Sequence, residues 1–283
     1  MNYTTLVSTD VLAQHLDDPA WRVLDLRYDL GNHALGGQQY AESHIPGATF
    51  ISMEGELSGP KGPRTGRHPL PAVSDFLAML GAKGLRNDQQ VVIYDSAGGM
   101  TAGRLWWMLR WVGHDRVAVL DGGFPKWVRE GRPVSAEVPT HAPTSFNGSP
   151  RSVSVDADFV LAHLGKPEVT VLDARAAGRY AGVGETIDPV GGHIPGALNR
   201  PYVQNLDEQG CFKKPEVLAA EYAALLGNRK PEQIVHQCGS GVSACHNIIA
   251  MELAGLQGSR LYPGSWSEWC KDPARPMATG PNP

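Results

Sequence analysis

Cysteine is scarce in this chain: four residues, at positions 211, 238, 245 and 270, with no CxxC spacing. So few thiols, so placed, are not a disulfide framework, and reduced thiols in a cytoplasmic protein are the expected state. An excess of positive charge is missing too. Lys and Arg number 25 against 29 Asp and Glu, a net charge of −4, with no basic tail. A protein that tracks nucleic-acid phosphates needs a clustered basic face, so that class is set aside. No stretch reaches the roughly 18 apolar residues that span a bilayer. The opening segment Met1–Asp10 has neither a basic nor an apolar leader region, which argues against secretion. What remains is globular: 42% hydrophobic and 19% charged residues in a chain of 283, nearly twice the usual length of one domain.

The excess length is explained by repetition. Val23-Leu24-Asp25-Leu26-Arg27 returns as Val171-Leu172-Asp173-Ala174-Arg175, and His44-Ile45-Pro46-Gly47-Ala48 as His193-Ile194-Pro195-Gly196-Ala197. The segments starting at Gln90 and Leu120 align with those starting at Gln233 and Leu261, in the same order. Such ordered self-similarity marks two copies of one unit. Between them Pro133–Arg151 carries four prolines and few apolar residues, the composition of an extended linker. The expected division is therefore 1–140 and 150–283.

Within each copy, short apolar runs alternate with helical spacing. Strands are expected at Arg22–Leu26, Val91–Tyr94, Val117–Leu120, Val169–Leu172, Ile234–His236 and Ser259–Tyr262. Helices are expected at Ser74–Leu80, Ala102–Val112, Pro215–Leu226 and Ser243–Leu256. Ser74 suits a helix cap, and Pro215 a first-turn position. The alternation implies an α/β protein in which each copy is a parallel sheet flanked by helices. Ligands of such sheets bind beyond the carboxyl ends of the strands, which singles out the loops after Tyr94 and Gln237.

The two loops differ where chemistry would need them to. The second reads Cys238-Gly239-Ser240-Gly241-Val242-Ser243 and leads into a helix; the first has Asp95-Ser96-Ala97-Gly98-Gly99 and no sulfur. A thiol at a strand end, facing loop N–H groups and a helix N-terminus, sits where negative charge is favoured, so its thiolate is favoured too. Aspartate cannot act as a soft nucleophile, so the first copy is expected to be catalytically silent and to help shape the cleft. Cys211, Cys245 and Cys270 read as small buried residues.

These motifs resemble the two-domain rhodanese superfamily: LDxR and HIPGA in both copies, Asp in the first loop, CGSGVSA in the second. The likeness covers about Leu6 to Pro276. It implies a fold of two tandem rhodanese-like domains and a sulfurtransferase in which Cys238 takes sulfur from a donor as a persulfide. The acceptor would be cyanide or a thiol, including one on a thioredoxin-like protein. No metal or organic cofactor is implied, and neither a nucleic acid nor a membrane partner. Within the superfamily CGSGVSA resembles the 3-mercaptopyruvate sulfurtransferases, whereas thiosulfate sulfurtransferases often carry basic residues just after the Cys; thiosulfate is the alternative donor. By the same resemblance Ser240 assists the leaving group, Arg179 holds the substrate carboxylate, and Gly239, Gly241, Val242 and Ser243 line the anion site. The family's second carboxylate-binding arginine has no counterpart, since Tyr180–Gly192 contains no Lys or Arg. Its Asp after the first HIPGA is replaced by Ser52. Arg67 and His68 resemble part of an interdomain loop that carries a His near the site.

Competing readings fail on particular residues. A cysteine phosphatase needs Cys-x5-Arg to clamp phosphate, and the sixth residue after Cys238 is Ala244. A non-catalytic binding module is contradicted by the retained Cys238 and its glycines. The Asp25/Arg27 and Asp173/Arg175 pairs, and His44 and His193, occur in both copies, as structural elements would. His236, Cys238, Cys245 and His246 do not have the spacing of a common zinc site. Trp266 and Trp269 read as core.

Overall fold

The computed structural model describes residues 2–283 and divides into two compact units. The first comprises the chain up to Gly59, Leu70–Arg151 and Glu208–Phe212; the second comprises Pro60–Pro69, Ser152–Asp207 and Lys213–Pro283. The units interleave in sequence, and Arg67 and His68 belong to the second.

The first unit runs β1 (Leu6–Val7), α1 (Thr9–Ala13), β2 (Trp21–Asp25), α2 (Leu35–Glu42), β3 (Thr49–Phe50), α3 (Val73–Ala82), β4 (Gln90–Tyr94), α4 (Ala102–Trp111), β5 (Val117–Leu120) and α5 (Gly123–Arg129). Its strands form one parallel sheet in the order β1-β5-β4-β2-β3. Every residue of β4 and β5 is buried, as expected of continuous apolar strands covered on both faces. Val23, Val92, Tyr94, Ala118, Leu120 and Trp127 share one core.

The second unit runs α6 (Ala157–Ala162), β6 (Thr170–Asp173), α7 (Ala177–Ala181), β7 (Leu198–Asn199), α8 (Pro215–Leu226), β8 (Ile234–Gln237), α9 (Ser243–Leu253), β9 (Arg260–Leu261) and α10 (Ser265–Trp269), with short 3-10 turns at Tyr202–Asn205 and Pro231–Gln233. Its parallel sheet has the order β7-β6-β8-β9, and Ser154 bridges in parallel to Leu261 at the open edge. The strand order thus repeats that of the first unit. Trp266 and Trp269 are fully buried with Val171, Val235, Tyr180 and Ile194, so both tryptophans build core.

Three local expectations change. Ser74 does not cap α3: the helix starts at Val73 behind Ala72, and Ser74 Oγ turns to Asp75. The helix after the Cys loop stops at Leu253 rather than Leu256, because Gly255 takes φ +79° and its N–H returns to Glu252, a left-handed helix end that glycine adopts without penalty. Pro133–Arg151 has no helix or strand, yet it is not a free tether. Ser135 exchanges two backbone bonds with His44, Thr144 N–H donates to Gly81, and Ser149 and Arg151 donate to the carbonyls of Val112 and Trp111. The segment caps the carbonyl ends of α3 and α4, and Phe146 is buried.

Candidate active site

β8 ends at Gln237, so Cys238 is the first residue beyond the strand. It is 2% exposed. Two devices shape its loop. Ser265 Oγ accepts the Cys238 N–H at 3.1 Å, and the first N–H groups of α10 hold the loop's carbonyls: Trp266 N to Cys238 O at 3.0 Å, and Ser267 N to Gly239 O at 2.9 Å. Ser265 does this with φ +54°, the only positive φ of a non-glycine among the described residues; such strain persists where surrounding contacts over-determine it. Gly241 has φ +74°, and a Cβ there would meet Pro263 O at 2.4 Å, so the turn admits only glycine. α9 then begins at Ser243 with no side-chain cap. Its N-terminal N–H groups and partial positive charge lie beside the thiol's loop.

The loop of the first unit shows what such a cradle binds. The Asp95 carboxylate accepts hydrogen bonds from the N–H groups of Ala97, Gly99, Thr101 and Ala102 and from Thr101 Oγ1, at 2.7–2.9 Å. Two and four residues after Cys238, the N–H groups of Ser240 and Val242 meet no protein oxygen among the described residues. The first loop closes on its own carboxylate; in the second the Cys245 N–H, the counterpart of Ala102, turns to Val242 O at 3.1 Å.

Side chains from separated segments converge on this loop. His68 Nδ1 lies 2.7 Å from Ser240 Oγ, both buried, and Arg67 N–H donates to Ser267 Oγ at 3.0 Å. The guanidiniums of Arg67 and Arg179 stand over Gly239: a Cβ there would meet Arg67 Nη2 at 2.6 Å and Arg179 Nη1 at 3.4 Å. Sequence reasoning missed the acidic partners. Arg179 Nε donates to Glu185 and Nη2 to Asp188, each at 2.8 Å, while Arg67 Nη1 pairs with the other oxygen of Asp188. Burial alone would raise the Glu185 carboxyl, but Arg179 and the N–H groups of Ile187 and Asp188 hold it below its ordinary value. The one visible clue was negative: the segment that lacks a basic residue carries two acidic ones. Ser52 lies in the first unit, where its Oγ accepts the Gly55 N–H in a local turn.

The duplicated residues are structural in both units. Arg27 forks onto Asp25, and Arg175 onto Asp173 with Nη2 also donating to Gly192 O. His44 stacks on Tyr40 and His193 on Tyr180, at ring separations of 4.0 and 3.8 Å. Burial pushes the Cys270 thiol up, an effect Asp188 adds to and Arg175 and Arg67 oppose, which disfavours it as a nucleophile. No three His, Cys, Asp or Glu side chains among the described residues converge as a metal site requires.

The family model of the rhodanese-like domain matches this chain twice, over residues 8–130 and 156–272. The chain belongs to the rhodanese family. The chain is 46% identical over 284 residues to a protein of Pseudomonas aeruginosa described as a probable 3-mercaptopyruvate sulfurtransferase, covering 99% of this chain and 100% of that one. It is 37% identical to the thiosulfate sulfurtransferase of Bos taurus, covering 94% and 92%. Among solved structures, the 3-mercaptopyruvate sulfurtransferase of Leishmania major superposes with a TM-score of 0.83 at 30% identity, covering 94% of this chain and 74% of that one. A 3-mercaptopyruvate sulfotransferase from Escherichia coli gives 0.81 at 31%, covering 94% and 100%.

β8 also supplies a pH response. His236, two residues before Cys238, is fully buried with Nε2 3.1 Å from Ser259 Oγ, and burial pushes its pKa down from 6.5 to about 3. Above pH 6.5 the imidazole is neutral whether the chain is folded or unfolded. Below that, the unfolded chain takes a proton that the folded one refuses, so stability falls as pH drops from 6.5 towards 3, by up to about 1.4 kcal/mol per pH unit. His236→Gln is expected to flatten the acid side of the stability curve by that one-proton slope. Denaturant unfolding from pH 7 to 4 measures it, and an unchanged slope would show that His236 titrates normally.

Proposed function

We propose that this chain is a sulfurtransferase that moves sulfane sulfur from 3-mercaptopyruvate to a thiol or cyanide through a persulfide on Cys238. The observation that carries the reading is the contrast between the two loops, one closed on the Asp95 carboxylate and the other starting at a thiol with the N–H groups of Ser240 and Val242 bonded to no protein oxygen among the described residues. Backbone N–H groups aimed at a developing anion stabilise it without reorganisation.

In the proposed reaction the Cys238 thiolate attacks the donor sulfur. The S–S bond forms, the C–S bond breaks, and its electron pair leaves on carbon as the enolate of pyruvate. The proton of the donor thiol ends on that carbon, giving pyruvate and a persulfide anion. Ser240, within hydrogen-bonding distance of His68, is placed to relay it, the role of a positioned acid–base pair. Cyanide then takes the outer sulfur as thiocyanate and returns the thiolate; an acceptor thiol, including a thioredoxin-like one, does the same. Arg67 and Arg179 would hold the donor carboxylate over Gly239 by charge-assisted bonds. The first unit, with Asp95 in place of a thiol, is read as catalytically silent. All four cysteines are free, in keeping with a reducing, cytoplasmic setting. Thiosulfate as donor is favoured by one feature, the similarity to thiosulfate sulfurtransferases; against it, no basic side chain follows Cys238 within the loop.

Mass spectrometry after donor treatment is expected to show a gain of one sulfur, about 32 Da, on the Cys238 peptide. Cyanide should remove it; no gain on Cys238 would sink the reading. To separate donors, kcat/KM for 3-mercaptopyruvate and thiosulfate is compared with cyanide as common acceptor. Arg179→Ala should lower the 3-mercaptopyruvate value by roughly 10- to 100-fold, the worth of one charged hydrogen bond. An equal loss with both donors would remove Arg179 from carboxylate recognition.

A further inference from the structure

A carboxylate is an unexpected neighbour for two arginines offered to a carboxylate substrate. Asp188 has a side chain only 2% exposed, and it pairs with Arg67 and Arg179 at once, through different oxygens. These partners come from segments 121 and 9 residues away. A rival for the substrate would need to leave, yet its loop is anchored. Val190 O accepts the indole N–H of buried Trp266 at 2.8 Å, Val183 N–H donates to Gly178 O at 2.8 Å, and Asp188 N–H donates to Glu185 at 3.1 Å. The nitrogens matter more. Arg67 uses Nη1 on Asp188 and turns Nη2 over Gly239; Arg179 uses Nη2 on Asp188, and both its Nη1 and Nη2 lie within 3.7 Å of where a Gly239 Cβ would be. The acid thus holds both guanidiniums while Arg67 Nη2 and Arg179 Nη1, which it does not engage, stay over Gly239, the residue after Cys238.

We propose that Asp188 is a positioning residue that joins Arg67 and Arg179 into one carboxylate receptor over Gly239. Two guanidiniums side by side repel, and more strongly where water is excluded. A buried carboxylate between them cancels that repulsion and fixes both planes, so that a donor carboxylate meets two aligned donors. Arg67 thereby serves where the loop 180–192 offers no second arginine of its own. The inference rests on the carboxylate-donor reading above but is tested separately from it.

The test uses alkylation of Cys238, which needs no sulfur transfer: the thiolate displaces iodide from iodoacetate, an anion, or from neutral iodoacetamide. In the wild-type protein the rate ratio of the two reagents, referred to a free thiol, is expected to favour iodoacetate by roughly tenfold, the worth of one charged pair in a partly buried site. Asp188→Asn, close in shape, should bring the ratio near that of the free thiol, and Asp188→Glu should restore part of it. Arg67→Ala should do the same as Asp188→Asn, and the double variant should lose no more than either single one, as groups acting as a unit do. In turnover, Asp188→Asn should raise KM for 3-mercaptopyruvate about tenfold and change kcat less than about threefold. An iodoacetate preference that is unchanged or increased in Asp188→Asn would overturn the proposal, as would losses that multiply. A wild-type protein that shows the preference but no turnover would instead refute the sulfurtransferase reading and leave this one standing.

Discussion

Cys238→Ser is expected to lower thiocyanate production by roughly 10⁴-fold or more, because in the proposed reaction a hydroxyl at neutral pH replaces the thiolate that takes up the sulfur. The folded state should barely notice. Cys238 is buried beside Gly239 and Val242, and what holds the loop is backbone: its N–H on Ser265 and its carbonyl on Trp266. Serine is smaller by little and keeps every one of those bonds, so the melting temperature should stay within about 3 °C of wild type. Steady-state turnover and calorimetry on the same sample check both halves. More than a tenth of wild-type activity in the variant would mean that sulfur is carried elsewhere.

The second large effect falls on stability. Asp173 and Arg175 are 0% and 1% exposed at the side chain and meet through a two-pronged contact, with the guanidinium 4.8 Å from the centre of the Trp266 ring. Burial alone would lower the Arg175 pKa, but Asp173 raises it above its ordinary value, with smaller help from Cys238 and Asp188. Asp173→Ala removes the forked partner and leaves that charge only Glu185, whose Oε2 is 4.0 Å from Nη1. The expected cost is about 3–5 kcal/mol, which lowers melting by roughly 10 °C or more for a unit of this size. Differential scanning calorimetry reads this directly. Replacing both residues by apolar ones of similar volume should recover much of the loss, since the pair itself contributes little beyond mutual neutralisation. A shift under about 2 °C for the single variant would show that Arg175 finds water or another anion.

The sequence conveyed the fold where burial is continuous. β5 falls on Val117–Leu120 and α8 on Pro215–Leu226 as expected, because an unbroken apolar run and a proline at the first helical position leave few alternatives. The edge strands β1, β3 and β7 have two residues each, too short to show any period. Ser74 misled for a related reason: an N-cap is defined by backbone geometry, and after Pro71 the chain enters the helix at Val73 without side-chain help. At the site, Cys238 was legible because a thiol, glycines and a helix start are consecutive. The acidic pair was not. Glu185 and Asp188 lie in an irregular stretch with no periodic pattern, and only the path of the folded chain buries them against Arg67 and Arg179. His68 was visible as a candidate through its resemblance alone; its 2.7 Å approach to Ser240 gives that expectation a physical partner.

The route of the chain bears on how such a protein is inherited. The second unit takes Pro60–Pro69 from the midst of the first half, and the first unit takes Glu208–Phe212 back from the second. A recombination event that cut the gene near codon 150 would hand on Cys238, Ser240, Arg179 and Asp188 but leave Arg67 and His68 behind. If those two act as proposed, the second half passed on alone would carry the thiol without its full set of partners.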